Sequence, residues 1–262
     1  MVTVLGIPLD ENASFLRGAA QAPGHIRAAL HSGAMNLCAE DGRDLATAPG
    51  WRDIGDLTLD GCGGAFAQIK QVVASHVRAG ERLLALGGDH AITYPIIQGY
   101  AEVYPDMTIL HIDAHPDLYD EYEHSRNSHA CPFARIMESG LARKLVQVGI
   151  RAMTPHQREQ ADRFGVTVVE MKDWHPGLEL PLEGPLYLSL DLDALDPAFA
   201  PGVSHPEPGG LTTREVLAII QGLQVPLVGA DLVEFNPTRD PAGITAALAA
   251  KCYKESIAQM LE

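Results

Sequence analysis

Four apolar runs in this chain of 262 residues each stop at a cluster of acidic or imidazole side chains. Leu83-Leu84-Ala85-Leu86 leads into Gly87-Gly88-Asp89-His90, and Ile109-Leu110-His111-Ile112 into Asp113-Ala114-His115-Pro116-Asp117. Leu186-Tyr187-Leu188-Ser189-Leu190 leads into Asp191-Leu192-Asp193, and Leu227-Val228-Gly229-Ala230 into Asp231-Leu232-Val233-Glu234. Runs of this kind read as strands of a parallel sheet covered on both faces. Sites in such sheets form beyond the carboxyl ends of the strands, so the four clusters are expected to meet. Carboxylates gathered from several strands repel one another unless something neutralises them, and divalent metal does so.

The formal charge of −15 argues against nucleic-acid or anionic-membrane partners and suits a cationic or neutral substrate. No apolar run approaches the roughly 20 residues that span a bilayer. Met1-Val2-Thr3-Val4-Leu5-Gly6-Ile7-Pro8 lacks the basic region and cleavage site of a signal peptide and reads as a first strand. Cys38, Cys62, Cys131 and Cys252 form no Cys-x-x-Cys pair. They read as free thiols in a reducing compartment, and a cytoplasmic protein is the expectation. Cys131 follows His129 by two residues and reads as a small packed thiol.

Strands are expected over 2–9, 82–86, 107–112, 144–150, 166–170, 186–191 and 225–231. Helices are expected over 23–30, 65–77, 94–103 and 133–138. Others start at Pro155, at a cap on Thr212 or Thr213, and at about Ile244 to run to Met260. Residues 175–185 and 194–210 are loops rich in Pro or Gly, the second long enough to suggest a function. Eight or so strands alternating with helices make a mainly parallel sheet, which a closed barrel or an open three-layer sandwich could contain. With no repeat, linker or low-complexity tract, residues 1–262 read as a single domain.

Alternate residues of a strand share a face, so Asp113, His115 and Asp117 can present three ligands in one direction, and Asp191 and Asp193 two more. His90 adds a second imidazole. Carboxylates and imidazoles without thiolate favour Mn²⁺ over Zn²⁺, with Fe, Co or Ni as alternatives. Six such ligands exceed the need of one ion, whereas two divalent ions balance four carboxylates. A bridged pair about 3.5–4 Å apart activates water at neutral pH, which is a hydrolase design.

Gly87-Gly88-Asp89-His90, Ile112-Asp113-Ala114-His115-Pro116-Asp117 and Ser189-Leu190-Asp191-Leu192-Asp193-Ala194-Leu195-Asp196-Pro197 resemble, in this order, the three signatures of the ureohydrolases. These are the arginases, agmatinases and related amidinohydrolases. The resemblance implies an arginase-like α/β/α sandwich of three layers around about eight strands. It implies two Mn²⁺ per chain, one on His90, Asp113, Asp117 and Asp191 and the other on His115, Asp113, Asp191 and Asp193. Asp113 and Asp191 would bridge them. It further implies that His129 is the proton shuttle and that Glu234 holds the guanidinium, a task suited to a carboxylate facing a planar fork. The implied reaction is hydrolysis of a guanidinium C–N bond with release of urea. A homo-oligomer, trimer or hexamer, is also implied.

Substrate identity rests on thinner signals. Ser125 and Asn127 resemble, by their spacing before His129, arginase positions that bind the α-carboxylate of arginine. The stretch Phe199-Ala200-Pro201-Gly202-Val203-Ser204-His205-Pro206-Glu207-Pro208-Gly209-Gly210 looks most like plant-type arginases. Many family members have Gly-Thr where Ser204-His205 stands. Thr154 stands where animal-type arginases carry an acid for the α-amino group. Arginine is therefore the leading substrate, with agmatine and 4-guanidinobutanoate as alternatives. A silent binding protein on the same fold is disfavoured by the intact ligand set.

Overall fold

The computed structural model describes residues 1–59 and 64–262; Cys62 lies outside them. Strands β1 (Val2–Gly6), β2 (Trp51–Asp56), β3 (Arg82–Leu86) and β4 (Thr108–Ile112) share one sheet with β5 (Lys144–Ile150), β6 (Thr167–Glu170), β7 (Leu186–Asp191) and β8 (Leu227–Val233). The order across the sheet is β2-β1-β3-β8-β7-β4-β5-β6, with every neighbouring pair parallel. β2 and β6 are free edges, so the sheet is open and the barrel alternative is excluded.

The period of two along each strand divides the apolar side chains between two cores. Leu84, Leu86, Leu110, Ile112, Leu188 and Leu190 face one side. There they meet α1 (Ala22–Leu30), α6 (Thr213–Gln221) and α7 (Ile244–Met260). Leu83, Ala85, Ile109, Leu145 and Tyr187 face the other. They pack on α2 (Ala65–Arg78), α3 (Thr93–Tyr100), α4 (Pro132–Glu138) and α5 (Pro155–Phe164). Each fully buried leucine contributes about 1.5–3 kcal/mol, which explains why the strands read as unbroken apolar runs.

Local signals set the helix ends. Thr154 caps α5 through a reciprocal bond with Gln157, Pro155 takes its first turn, and Gly165 closes it in a left-handed conformation. Thr212, rather than Thr213, caps α6 and pairs with Glu215 in the same way. β2 is the element that periodicity misses. Its sequence, Trp-Arg-Asp-Ile-Gly-Asp, contains no apolar run, because an edge strand buries little and none of its six residues is fully buried.

Candidate active site

The loops beyond β3, β4, β7 and β8 meet at the carboxyl edge of the sheet's centre. After β3 the backbone passes so close to the Leu9 carbonyl that a Cβ on Gly88 would stand 1.8 Å from its oxygen. Only glycine fits there. The carbonyl accepts from Asp89 N at 2.9 Å, and Asp89 caps the turn that begins at His90. His90 is completely buried. Its Nε2 lies 2.9 Å from Ser189 Oγ, whose hydroxyl donates to Asp231 Oδ1 at 2.7 Å. Asp231 also accepts from Tyr187 and Thr93, so its acidity is spent as a buttress beneath the site. With Nε2–H directed to Ser189, His90 Nδ1 faces Asp113 at 3.1 Å, Asp117 at 3.2 Å and Asp191 at 3.1 Å. It makes a hydrogen bond to none of them. One buried nitrogen with three carboxylate oxygens gathered around it, and a hydrogen bond to none of them, fits a divalent cation.

The second cluster departs from strand geometry. β4 ends at Ile112, so Asp113, His115 and Asp117 lie in a loop, and Asp117 has φ of 50°. β7 ends at Asp191, and Asp193 sits in a short turn whose amide donates to Asp191 Oδ1 at 2.8 Å. Backbone turns therefore converge these side chains, where strand alternation was expected to. The spacing worked because the turns are tight and their amides bind the carboxylates: His115 N donates to Asp113 at 2.6 Å and Ala114 N to Asp193 at 3.2 Å. His115 Nδ1 lies 3.0 Å from Asp193 and 3.5 Å from Asp113. His111 also touches Asp113, at 2.7 Å. Its other nitrogen is engaged by Gln147 at 2.9 Å, so both ends are used and it orients Asp113. In the sequence His111 is one residue of the apolar run Ile109-Leu110-His111-Ile112, and nothing there marks it.

Burial opposes charge on His90, but the negative charge of Asp113, Asp117 and Asp191 around it lifts it well above the usual imidazole range. His115, opposed by burial, is pushed up to about 12 by Asp193 and Asp113. Asp191 is driven well above the carboxylate range by burial and then by Asp193 and Asp113. Burial and Asp113 lift Asp193 to about 6.

Glu234 follows β8 with φ of 63°, a left-handed backbone unusual for a non-glycine residue. Its Oε1 accepts from His90 N at 2.9 Å and lies 2.8 Å from His129 Nδ1. His129 Nε2 lies 2.8 Å from Ser14 Oγ. Burial disfavours charge on His129, yet Glu234, Asp117 and Asp89 raise it to about 9, above the neutral range expected for an isolated imidazole. Sequence reading missed Ser14, which belongs to no motif.

A cavity of about 180 Å³ opens here, lined by His115, Asp117, Asp191, Asp193, His129 and Glu234 together with Ser14, Tyr119, Tyr122, Gln157 and His205. Ser125 and Asn127 are not in its lining: Ser125 Oγ accepts from Asn127 N, and Ser125 is bridged to Tyr122. Ser204 is consumed structurally, donating to the Leu16 carbonyl and accepting from Asn236. His205 stands over the cavity, its ring 5.2 Å from that of His129 and 5.6 Å from that of Phe15. Thr154 is the α5 cap. Cys131 is a buried, packed thiol. Arg151 sends its guanidinium to the carbonyls of Gly149, Asp193, Ala194, Leu195 and Glu207, tying the long 194–210 loop to the site.

The sequence matches the arginase family over residues 1–258. "Arginase 1, mitochondrial" of Arabidopsis thaliana is 46% identical over 98% of this chain and 80% of its own length. The N(1)-aminopropylagmatine ureohydrolase of Thermus thermophilus is 38% identical over 90% of this chain and 83% of its own. The structure of an arginase from Medicago truncatula superposes with a TM-score of 0.92 at 42% identity, covering 99% of this chain and 87% of that one. The chain belongs to the arginase family. It is a hydrolase of the ureohydrolase class, a binuclear-metal class whose substrates are guanidino compounds.

These relatives correct one expectation. The plant arginases are named mitochondrial or chloroplastic/mitochondrial, which overturns the cytoplasmic reading. Free thiols and a negative surface do not distinguish one reducing compartment from another. Among the described residues no helix is long and apolar enough to cross a membrane.

Proposed function

We propose that the chain is a Mn²⁺-dependent arginase, cleaving L-arginine to L-ornithine and urea at the cavity beside His90, His115, His129 and Glu234. The observation that carries this reading is His90 Nδ1, completely buried and facing three carboxylates with no hydrogen bond. One ion would be held by His90, Asp113, Asp117 and Asp191, the other by His115, Asp113, Asp191 and Asp193, with Asp113 and Asp191 shared. When bound, such a pair activates water as a nucleophile at neutral pH and neutralises the carboxylates.

The chain's own residues do the rest. Glu234 orients the guanidinium. Its Oε1 already serves His90 N and His129, so Oε2 is the oxygen it offers the substrate. His129, raised to about 9, holds its proton at neutral pH and supplies it to the departing amine as a general acid. Ser125 and Asn127, just before His129 on the same segment but outside the cavity lining, are the proposed contacts for an α-carboxylate that extends beyond the cavity. A homo-oligomer, trimer or hexamer, and a single domain over 1–262 complete the reading.

A second reading has support of its own. Among the described residues no Lys or Arg lines the cavity to meet a carboxylate, and the Thermus relative is named for an agmatine derivative. Agmatine or another guanidine without a carboxylate is the alternative. One assay separates them: urea release from arginine, agmatine and 4-guanidinobutanoate with Mn²⁺ supplied, beside elemental analysis. Arginine turned over fastest, with two metals per chain, is the expected result. Faster turnover of agmatine supports the alternative, and no urea from any guanidine overturns both.

A further inference from the structure

Both nitrogens of His129 are engaged, Nδ1 by Glu234 Oε1 and Nε2 by Ser14 Oγ, each at 2.8 Å. An imidazole capped at both ends reaches a substrate only through one of its caps. Glu234 is a poor exit, because a carboxylate accepts and, once protonated, loses the charge that holds a guanidinium. Ser14 is different, since a hydroxyl can receive one proton while giving up another. Its side chain lines the cavity, on the segment between Asp10 and Gly18.

That segment is pinned to the surrounding site loops. Asn12 N donates to Asp89, His129 N donates to the Asn12 carbonyl, and Asn12 Nδ2 donates to the Asn127 carbonyl. Ser204 holds the Leu16 carbonyl, and Asp10 accepts from Gly18 N and Ala20 N. The position of Ser14 is therefore set by the loops that carry His90, His129 and His205.

We propose that Ser14 is a further catalytic residue, relaying the His129 proton through its hydroxyl to the departing amine. This rests on the reading of His129 as the proton carrier. In the step, the Nε2–H bond breaks as a new O–H bond forms on Oγ. The original Oγ–H bond breaks as an N–H bond forms on the amine nitrogen. Ser14 ends neutral, with its new hydrogen pointing back at Nε2, and His129 ends as the neutral Nδ1–H tautomer on Glu234.

Ser14→Ala should lower kcat by about 10–10²-fold with KM, metal content and Tm near wild type. This is less than loss of His129 itself, because water entering the gap carries part of the relay. Ser14→Thr, which keeps the hydroxyl, should retain most of kcat. The proton inventory of kcat in mixed light and heavy water should show two protons in flight in wild type. A kcat of Ser14→Ala within about twofold of wild type overturns the proposal. So does a rise in KM alone, or equal losses in the Ala and Thr variants. A readout independent of turnover is the ¹⁵N-edited signal of the His129 Nε2 proton, which should move upfield in Ser14→Ala; an unmoved signal also overturns the relay. Failure of wild type to release urea would instead strike the functional reading.

Discussion

The amino ends of the strands and the centre of their carboxyl edge treat acid in opposite ways. At the amino ends of the strands, Glu81 ahead of β3 meets Arg52 at 2.8 Å, His76 at 2.9 Å and the Thr3 hydroxyl at 2.6 Å. Glu183 ahead of β7 meets Arg143 at 2.8 Å and Lys144 at 3.1 Å. Both of these carboxylates have cations of their own. At the carboxyl ends, Asp113, Asp117, Asp191 and Asp193 crowd around two imidazoles, and among the described residues none forms an ion pair with Lys or Arg. A carboxylate beside a guanidinium is a finished contact. Carboxylates packed against a nitrogen that bonds to none of them await charge from outside.

The largest test of this contrast is to neutralise the unpaired end. Asp191→Asn should cost at least about 10²–10³-fold in urea release, the scale of losing a charged group at a reacting centre. Metal content should fall below two per chain. Because burial and its acidic neighbours already disfavour charge on Asp191, chelator-treated Asp191→Asn should melt no lower than chelated wild type. A Tm several degrees lower would break the comparison.

His129→Asn should reduce kcat by about 10²–10⁴-fold while both metals stay bound. If metal is lost together with activity, His129 belongs to the ligand set and its assigned role fails. Glu234→Gln keeps the shape and removes the charge proposed to meet the guanidinium. Such a hydrogen bond is worth roughly 1.5–3 kcal/mol, so kcat/KM should drop by about 10–10²-fold or more with Tm little changed. Near-normal hydrolysis of every guanidine would remove Glu234 from substrate binding.

The smallest effect lies at the paired end. Burial opposes charge on Glu81, but Thr3, His76 and Arg52 pull it down to about 2. A depressed carboxylate contributes stability that is present above its unfolded value and is lost as pH falls through the folded one. Glu81→Gln should therefore lower Tm by about 2–4 °C at neutral pH, equivalent to about 1 kcal/mol. The difference should fade between about pH 5 and 2. Persistence of the full difference at pH 2 would show that the loss is one of packing.

The contrast also explains what could be read from the chain. Strands buried on both faces leave unbroken apolar runs, so β3, β5 and α7 fall where periodicity puts them. β2 left none because half-wet edges need none. The acids of the site stand out because they cluster after strands. Ser14 and His111 do not, since each is fixed by a partner far away in sequence: Ser14 meets His129 across 115 positions and His111 meets Gln147 across 36. Glu81 looks like any surface acid until Arg52 folds against it.

The strand order sets a schedule. β1 to β3 form one half-sheet from residues 2–86 and β4 to β7 another from 108–191, and β8 alone joins them. His90 belongs to the first half, the four aspartates to the second, and Glu234 follows β8 itself. A nascent chain that has not yet released β8 thus carries every proposed ligand and no site. Pairings of such sequence separation form late. An ion that needs ligands from both halves binds only after the seam closes. It therefore prolongs the life of the finished fold more than it hastens its making.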